Sequence, residues 1–258
     1  MEIKVGCCGF PVSKEKYYKN FNLVEIQQTF YQPPQEKTAQ KWREEAPLKF
    51  QFTLKAWQLI THPPSSPTYR RLKQDIPESK KKNYGFFKPT EEVFLAWERT
   101  EKIAQILNAK IIVFQCPASF QPTSENKKNL ERFFKTIKRK EYLLVWEPRG
   151  KWERKEISTL CRKLYLLPCL DPFKSEIPPF DRLRVVSEAE PPKTGEKPFP
   201  RKMGYFRLHG KTGYRYEYTD SDLKELEAQA KGFDSVYFMF NNVYMFEDAL
   251  RFKEKIMG

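Results

Sequence analysis

Residues 50 to 55 read Phe50-Gln51-Phe52-Thr53-Leu54-Lys55, an unbroken alternation of apolar and polar side chains that ends in a lysine. Successive side chains on a strand point to opposite faces. Phe50, Phe52 and Leu54 therefore share one face, and Gln51, Thr53 and Lys55 the other. If helices cover the apolar face, the polar face must line an enclosed interior, which a sheet closed on itself and wrapped in helices supplies. The same parity recurs in Gly204-Tyr205-Phe206-Arg207-Leu208-His209, where outward Phe206 and Leu208 turn Arg207 and His209 inward. Leu144 and Trp146 outward put Glu147 inside, and Val24 and Ile26 outward put Glu25 inside. Asp171 and Asn241 close two further segments in the same way, so each polar group is expected last on its strand.

Short β-branched or aromatic runs bounded by turn residues mark eight strands, near 3–8, 23–26, 50–55, 111–116, 142–147, 166–171, 204–209 and 235–241. Helical periodicity falls between them at 35–46, 91–108, 124–139, 153–164, 221–231 and 246–257. Thr90 ahead of Glu91-Glu92 and Thr123-Ser124 ahead of Glu125 supply helix-start signals. Eight alternating units predict an α/β fold, a (β/α)8 TIM barrel, as a single domain over residues 1–258. Two long stretches interrupt the alternation. Residues 57–90 follow the third strand as a lid-like insertion, and 172–203 form a Pro-rich loop after the sixth.

The 258 residues carry 47 Lys and Arg against 33 Asp and Glu, a formal charge of +14, which attracts phosphate-bearing partners. From Lys55 to Thr90 eight basic residues face only Asp75 and Glu78, a net +6, with Tyr69, Tyr84, Phe86 and Phe87 interleaved. That mixture suits a nucleic-acid backbone and its bases; a solvated charged surface is the plainer reading. No apolar run is long enough to span a bilayer and no leader pattern opens the chain, so a cytoplasmic location without membrane contact is expected. The 5 cysteines form no Cys-x-x-Cys pair and read as reduced, buried thiols.

Catalytic groups of such barrels gather at the C-terminal strand ends. Lys55, Arg149 and Arg207 there would neutralise phosphate oxygens, while Glu147 or Glu25 serves as general base toward water. The alternative is a salt-bridge network that only closes the barrel. A glycosidase pair of Glu25 and Glu147 is disfavoured, because neighbouring cations lower a carboxylate pKa where the acid needs it raised. With His62 and His209 as the only 2 histidines, no metal ligand set is assigned and a metal would need Glu25, Glu147 or Asp171. A phosphate-cradling Gly loop and a serine nucleophile elbow are both missing from the sequence. The cofactor and the oligomeric state stay open.

The chain resembles the YecE-like proteins, the domain of unknown function 72, over nearly its whole length. The resemblance rests on Gly6-Cys7-Cys8-Gly9-Phe10, on Val24-Glu25-Ile26 with Thr29-Phe30-Tyr31, and on Leu54-Lys55-Ala56 with Ile60-Thr61-His62. Phe114-Gln115-Cys116-Pro117, Glu147 with Arg149 and Trp152, Arg207-Leu208-His209-Gly210 and Asn241-Asn242 continue it, while Cys7-Cys8, Pro148 and Val243 depart from the usual pattern. It implies a TIM barrel and a shared mouth. Glu25, Lys55, Glu147 and His209 are the expected catalytic groups, and Tyr31, His62, Gln115, Arg149, Asp171, Arg207 and Asn241 the expected substrate contacts. The activity expected is a hydrolase-type enzyme on an anionic, phosphate-bearing substrate, with non-catalytic nucleic-acid binding as the alternative.

Overall fold

Parity along the strands decides the architecture. The computed structural model describes residues 1–139, 142–174 and 202–257. The strands are β1 (Glu2–Cys8), β2 (Leu23–Ile26), β3 (Gln51–Lys55), β4 (Ile111–Gln115), β5 (Leu143–Glu147), β6 (Leu167–Leu170), β7 (Met203–Leu208) and β8 (Ser235–Phe240). They close a parallel barrel in sequence order. Outward side chains, among them Val24, Phe52, Leu54, Leu144, Trp146, Phe206 and Leu208, form one apolar layer with the helices. Inward Leu23, Ile111, Val113, Val145, Leu167, Tyr205 and Met239 fill the barrel as a second, separate cluster.

The larger helices are α1 (Lys14–Asn20), α3 (Glu36–Glu45), α6 (Glu91–Leu107), α7 (Ser124–Thr136), α8 (Arg154–Leu164), α9 (Asp220–Ala230) and α10 (Met245–Met257). Single turns α2 (Gln28–Tyr31), α4 (Gln58–Thr61) and α5 (Glu78–Lys81) lie in the connections. Thr123 caps α7 as its sequence suggests, its hydroxyl accepting from Asn126 N at 3.1 Å. Thr90 does not cap α6: its hydroxyl donates to Asn83 O at 2.7 Å, tying the preceding segment to the helix start. Helix α1, unmarked by periodicity because Tyr17 is its one buried residue, sets a phenol at the β1–β2 seam. Tyr17 Oη accepts from Cys7 N and donates to Leu23 O, both at 2.8 Å. Only Cys7↔Val24 and Cys8↔Glu25 pair across that seam, whereas β1 pairs with β8 over six residues, Glu2 to Cys7.

The segment 57–90 is more ordered than a Pro-rich loop suggests. The backbone N–H groups of Gly85, Phe86 and Phe87 donate to the carbonyls of Leu59, Thr61 and Ile60, so its two ends lie side by side. Phe87 is fully buried, and Tyr69, Tyr84 and Phe86 pack on the outer core, so the interleaved aromatics anchor the segment. Its charges are partly matched, Lys80 by Glu92 at 3.5 Å and Lys81 by Glu78 at 2.5 Å. Gly85 has φ +80°, and a Cβ there would stand 2.4 Å from the His62 carbonyl oxygen. Gly85→Ala should therefore destabilise by about 2 kcal/mol, read as a lower urea midpoint at unchanged slope. Of the second long loop, expected at 172–203, residues 175–201 lie outside the described residues. No helix among the described residues is long and apolar enough to cross a membrane.

Candidate functional site

The inward polar residues other than Asn241 meet as one cluster, although not each at the end of its strand. Lys55, Gln115 and Glu147 are last on β3, β4 and β5; Glu25 and Arg207 are next to last on β2 and β7; Asp171, His209 and Asn241 lie one residue beyond β6, β7 and β8. Barrel closure staggers neighbouring strands, so one level is reached at different chain positions. Lys55, for instance, pairs with Val113 while Gln115 pairs with Glu147.

Arg207, 1% exposed, is the hub. Its Nη1 donates to Glu147 Oε2 at 2.5 Å and to Gln115 Oε1 at 2.9 Å. Its Nη2 reaches Gln27 Oε1 at 3.4 Å and Cys8 Sγ at 3.6 Å. The Nε lies 3.1 Å from Glu25 Oε1, an ion-pair distance without hydrogen-bond alignment. Glu25 is fully buried; it accepts from Tyr205 Oη at 2.8 Å and from Gln27 Nε2. Thr53 Oγ1 lies 2.9 Å from the same phenol, which burial and the Glu25 charge keep protonated.

Toward solvent the network continues through Glu147, whose Oε1 accepts from Arg149 Nε at 2.8 Å. Arg149 Nη2 lies 2.9 Å from His209 Nε2. A guanidinium can only donate, so that ring nitrogen accepts and the imidazole proton sits on Nδ1, 3.4 Å from Asp171 Oδ2. Burial alone would raise the Glu147 carboxyl, yet the charges of Arg207 and Arg149 hold it well below the usual carboxylate range. For Arg207, burial works against the charge but Glu147 and Glu25 outweigh it, so the guanidinium stays ionised.

Lys55 differs from its neighbours. It is buried, its Nζ donates to Gln115 Oε1 at 2.9 Å, and it lies 3.8 Å from the Phe30 ring centroid, with no carboxylate partner in ion-pair range among the described residues. Burial, reinforced by the Arg207 charge, lowers its pKa to about 7. His62 stands on the same ring, 4.8 Å centroid to centroid, with Nδ1 2.8 Å from Thr61 Oγ1. It is 4% exposed rather than solvated, and burial, helped by Lys55 and Arg149, lowers its pKa to about 3. A histidine held neutral in the fold but charged when unfolded makes stability fall as pH drops from 6.5 toward 3. His62→Gln should remove about 2–3 kcal/mol of the loss between pH 6.5 and 4.5, measured by urea unfolding along that series.

Two expected contacts stand apart from this network. Tyr31 lies under the Arg71 guanidinium at 3.5 Å, on the lid side, and Asn241 engages through its backbone N–H to Leu208 O at 2.9 Å. Three participants went unnoticed in the sequence: Gln27, Phe30 and Tyr205. Gln27 and Tyr205 lie two residues from Glu25 and Arg207, so the parity that exposed the ions marks them too. Among the described residues no three His, Cys, Asp or Glu converge on a metal position, and the place between Glu25 and Glu147 that a cation would take is filled by Arg207. All five cysteines are buried and free; burial raises the thiols of Cys7, Cys8, Cys116, Cys161 and Cys169.

Fold and site together define a closed parallel α/β barrel whose C-terminal mouth is built on an interlocked set of ions. The chain belongs to the family described as "Protein of unknown function DUF72", whose model matches residues 14–257, the family its sequence resembles. A DUF72 family protein of Thermotoga maritima has a similar structure, with TM-score 0.67 at 20% identity and 100% coverage of both chains. One from Enterococcus faecalis gives TM-score 0.67 at 17% identity, covering 100% of this chain and 98% of its own. Endonuclease IV of Thermus thermophilus shares the barrel at TM-score 0.52 and 12% identity, with 99% and 100% covered. At these identities the likeness is one of fold. No curated protein matches the chain.

Proposed function

We propose that the protein is an enzyme acting on an anionic, phosphate-bearing substrate at the barrel mouth, cleaving a phosphoester bond. The observation that carries the reading is charge balance. Arg149 and Arg207 are matched by the two carboxylates bonded to them, Glu147 and Glu25, and the protonated form of Lys55 has no counter-ion among the described residues. An incoming phosphate oxygen supplies the missing charge. Arg149, 40% exposed at its side chain, is the cation open to such a ligand.

The roles differ from those suggested by sequence. Glu147, held ionised by two guanidinia, is a weak base, and Glu25 is spent on Tyr205, Gln27 and Arg207; both position the cations. Proton transfer falls to Lys55, whose pKa of about 7 lets it take and return a proton at neutral pH. A panel of phosphate monoesters and diesters tests the reading. Turnover should collapse on Lys55→Gln, and Arg149→Gln should raise KM by about tenfold with a smaller effect on kcat. Absence of turnover across the panel, with no phosphate binding by calorimetry, would overturn it.

Nucleic-acid binding without catalysis is the second reading, favoured by Arg70, Lys73 and Lys82, which are exposed and have no ion-pair partner among the described residues. It requires affinity for oligonucleotides that falls steeply with salt and drops on replacing those three residues, while Lys55→Gln leaves it unchanged.

A further inference from the structure

We infer that Lys55 is a nucleophile that forms an imine with an aldehyde or ketone carbonyl carried by the anionic substrate. The inference rests on the preceding reading for the substrate's charge, but its chemistry comes from the lysine's own surroundings. Lys55 is the one buried lysine among the described residues. The barrel does not need its charge, because Arg207 already bridges Glu25 and Glu147.

Among the described residues Nζ has no carboxylate in ion-pair range to hold it as an ammonium; its partners are Gln115 Oε1 and the face of the Phe30 ring. A neutral amine places one N–H on each and keeps its lone pair for a ligand. The pKa of about 7 agrees with this, and near neutral pH leaves about half the amine unprotonated, against roughly one part in three thousand for an ordinary lysine. A point cation meant only to grip phosphate would gain nothing from losing its charge. Desolvation of this kind is how lysines are made nucleophilic toward carbonyls.

The step balances within amine and carbonyl. The lone pair of Nζ attacks the carbonyl carbon and the π pair moves to oxygen, which takes a proton released by nitrogen to give a carbinolamine. The nitrogen then gives up its second proton, the hydroxyl departs with it as water, and the C=N bond forms. Arg149, a solvent-exposed cation of the cluster, is assigned to steady the developing alkoxide.

Borohydride trapping on the intact protein at pH 7 tests the idea, with glycolaldehyde phosphate and phosphate-free glycolaldehyde as parallel probes and peptide mass mapping as the readout. The expected result is a reduced adduct at Lys55 at least tenfold more occupied than at any other lysine, with the phosphorylated probe outperforming the neutral one. Labelling of Lys55 should level off just above pH 7, while surface lysines continue to gain toward pH 10. Equal labelling of Lys55 by both probes would keep the imine and sink the anionic substrate. Adducts spread over surface lysines with Lys55 not enriched would overturn the inference, even if inorganic phosphate binds the mouth. Mapping the unmodified chain avoids dependence on a variant that fails to fold.

Discussion

Arg207→Met is expected to cost about 3–5 kcal/mol of folding stability at pH 8, a large part of the 5–15 kcal/mol that holds a typical domain together. The loss comes from the partners. Glu25 is fully buried and Glu147 nearly so; Arg207 is bound to both, and Glu147 has Arg149 as a second cationic partner. With the arginine gone, Glu147 loses the largest of the charges that offset its burial, so the folded variant takes up a proton there more readily than the parent. Stability should therefore recover as pH falls and that carboxyl protonates, making the deficit smaller at pH 5 than at pH 8. Urea unfolding of both proteins at the two pH values reads this directly. Adding Glu25→Gln and Glu147→Gln to the variant should restore most of the loss, because an uncharged cluster leaves no buried ion unpaired. A single variant as stable as the parent at pH 8 would show that the three ions are not coupled.

Lys55→Met is expected to act in the opposite direction and to abolish turnover while doing so. Its folded pKa of about 7 lies below the ordinary lysine value of 10.5. Such a group opposes folding wherever the unfolded chain carries the proton more readily, fully below pH 7 and progressively less up to pH 10.5. A shift of that size corresponds to about 5 kcal/mol, from which the lost Gln115 hydrogen bond subtracts about 1 kcal/mol. The variant should thus be more stable than the parent at pH 6 by about 3–4 kcal/mol, with the gain vanishing near pH 10. Equal stability at pH 6 would mean a solvated, fully charged ammonium. A site residue whose removal strengthens the fold is one retained for chemistry.

Much of this was legible in the sequence because a strand exposes its orientation in every second residue. The alternation of Phe50 to Lys55 and of Tyr205 to His209 revealed which groups face the axis, and the eight runs counted the barrel. What parity leaves out is partnership across the axis. That Arg207 lies between Glu25 and Glu147, 182 and 60 residues away in sequence, depends on the stagger of strands that closure imposes. Strand parity does not reach His62, which lies in the 57–90 insertion, where the Gly85 turn folds the chain back over residues 59–61 and the histidine is buried. Helix α1 escaped because a single tyrosine carries its packing. Thr90 misled because its hydroxyl found a carbonyl outside the helix. Gln27 lies one residue past β2, so parity marks it only when carried beyond the strand's end.

The unequal seams around β1 bear on the order of events during synthesis. Of the eight barrel strands, the first to leave the ribosome keeps a two-residue ladder with its sequence neighbour, supplemented by the Tyr17 phenol, and finds its longer pairing with the eighth. Until residue 240 has emerged, a nascent chain exposes two unsatisfied sheet edges, β1 and whichever strand is newest, each a template for pairing with another chain. Ring closure is then a late, long-range event, and until it happens both edges stay open to pairing with other chains.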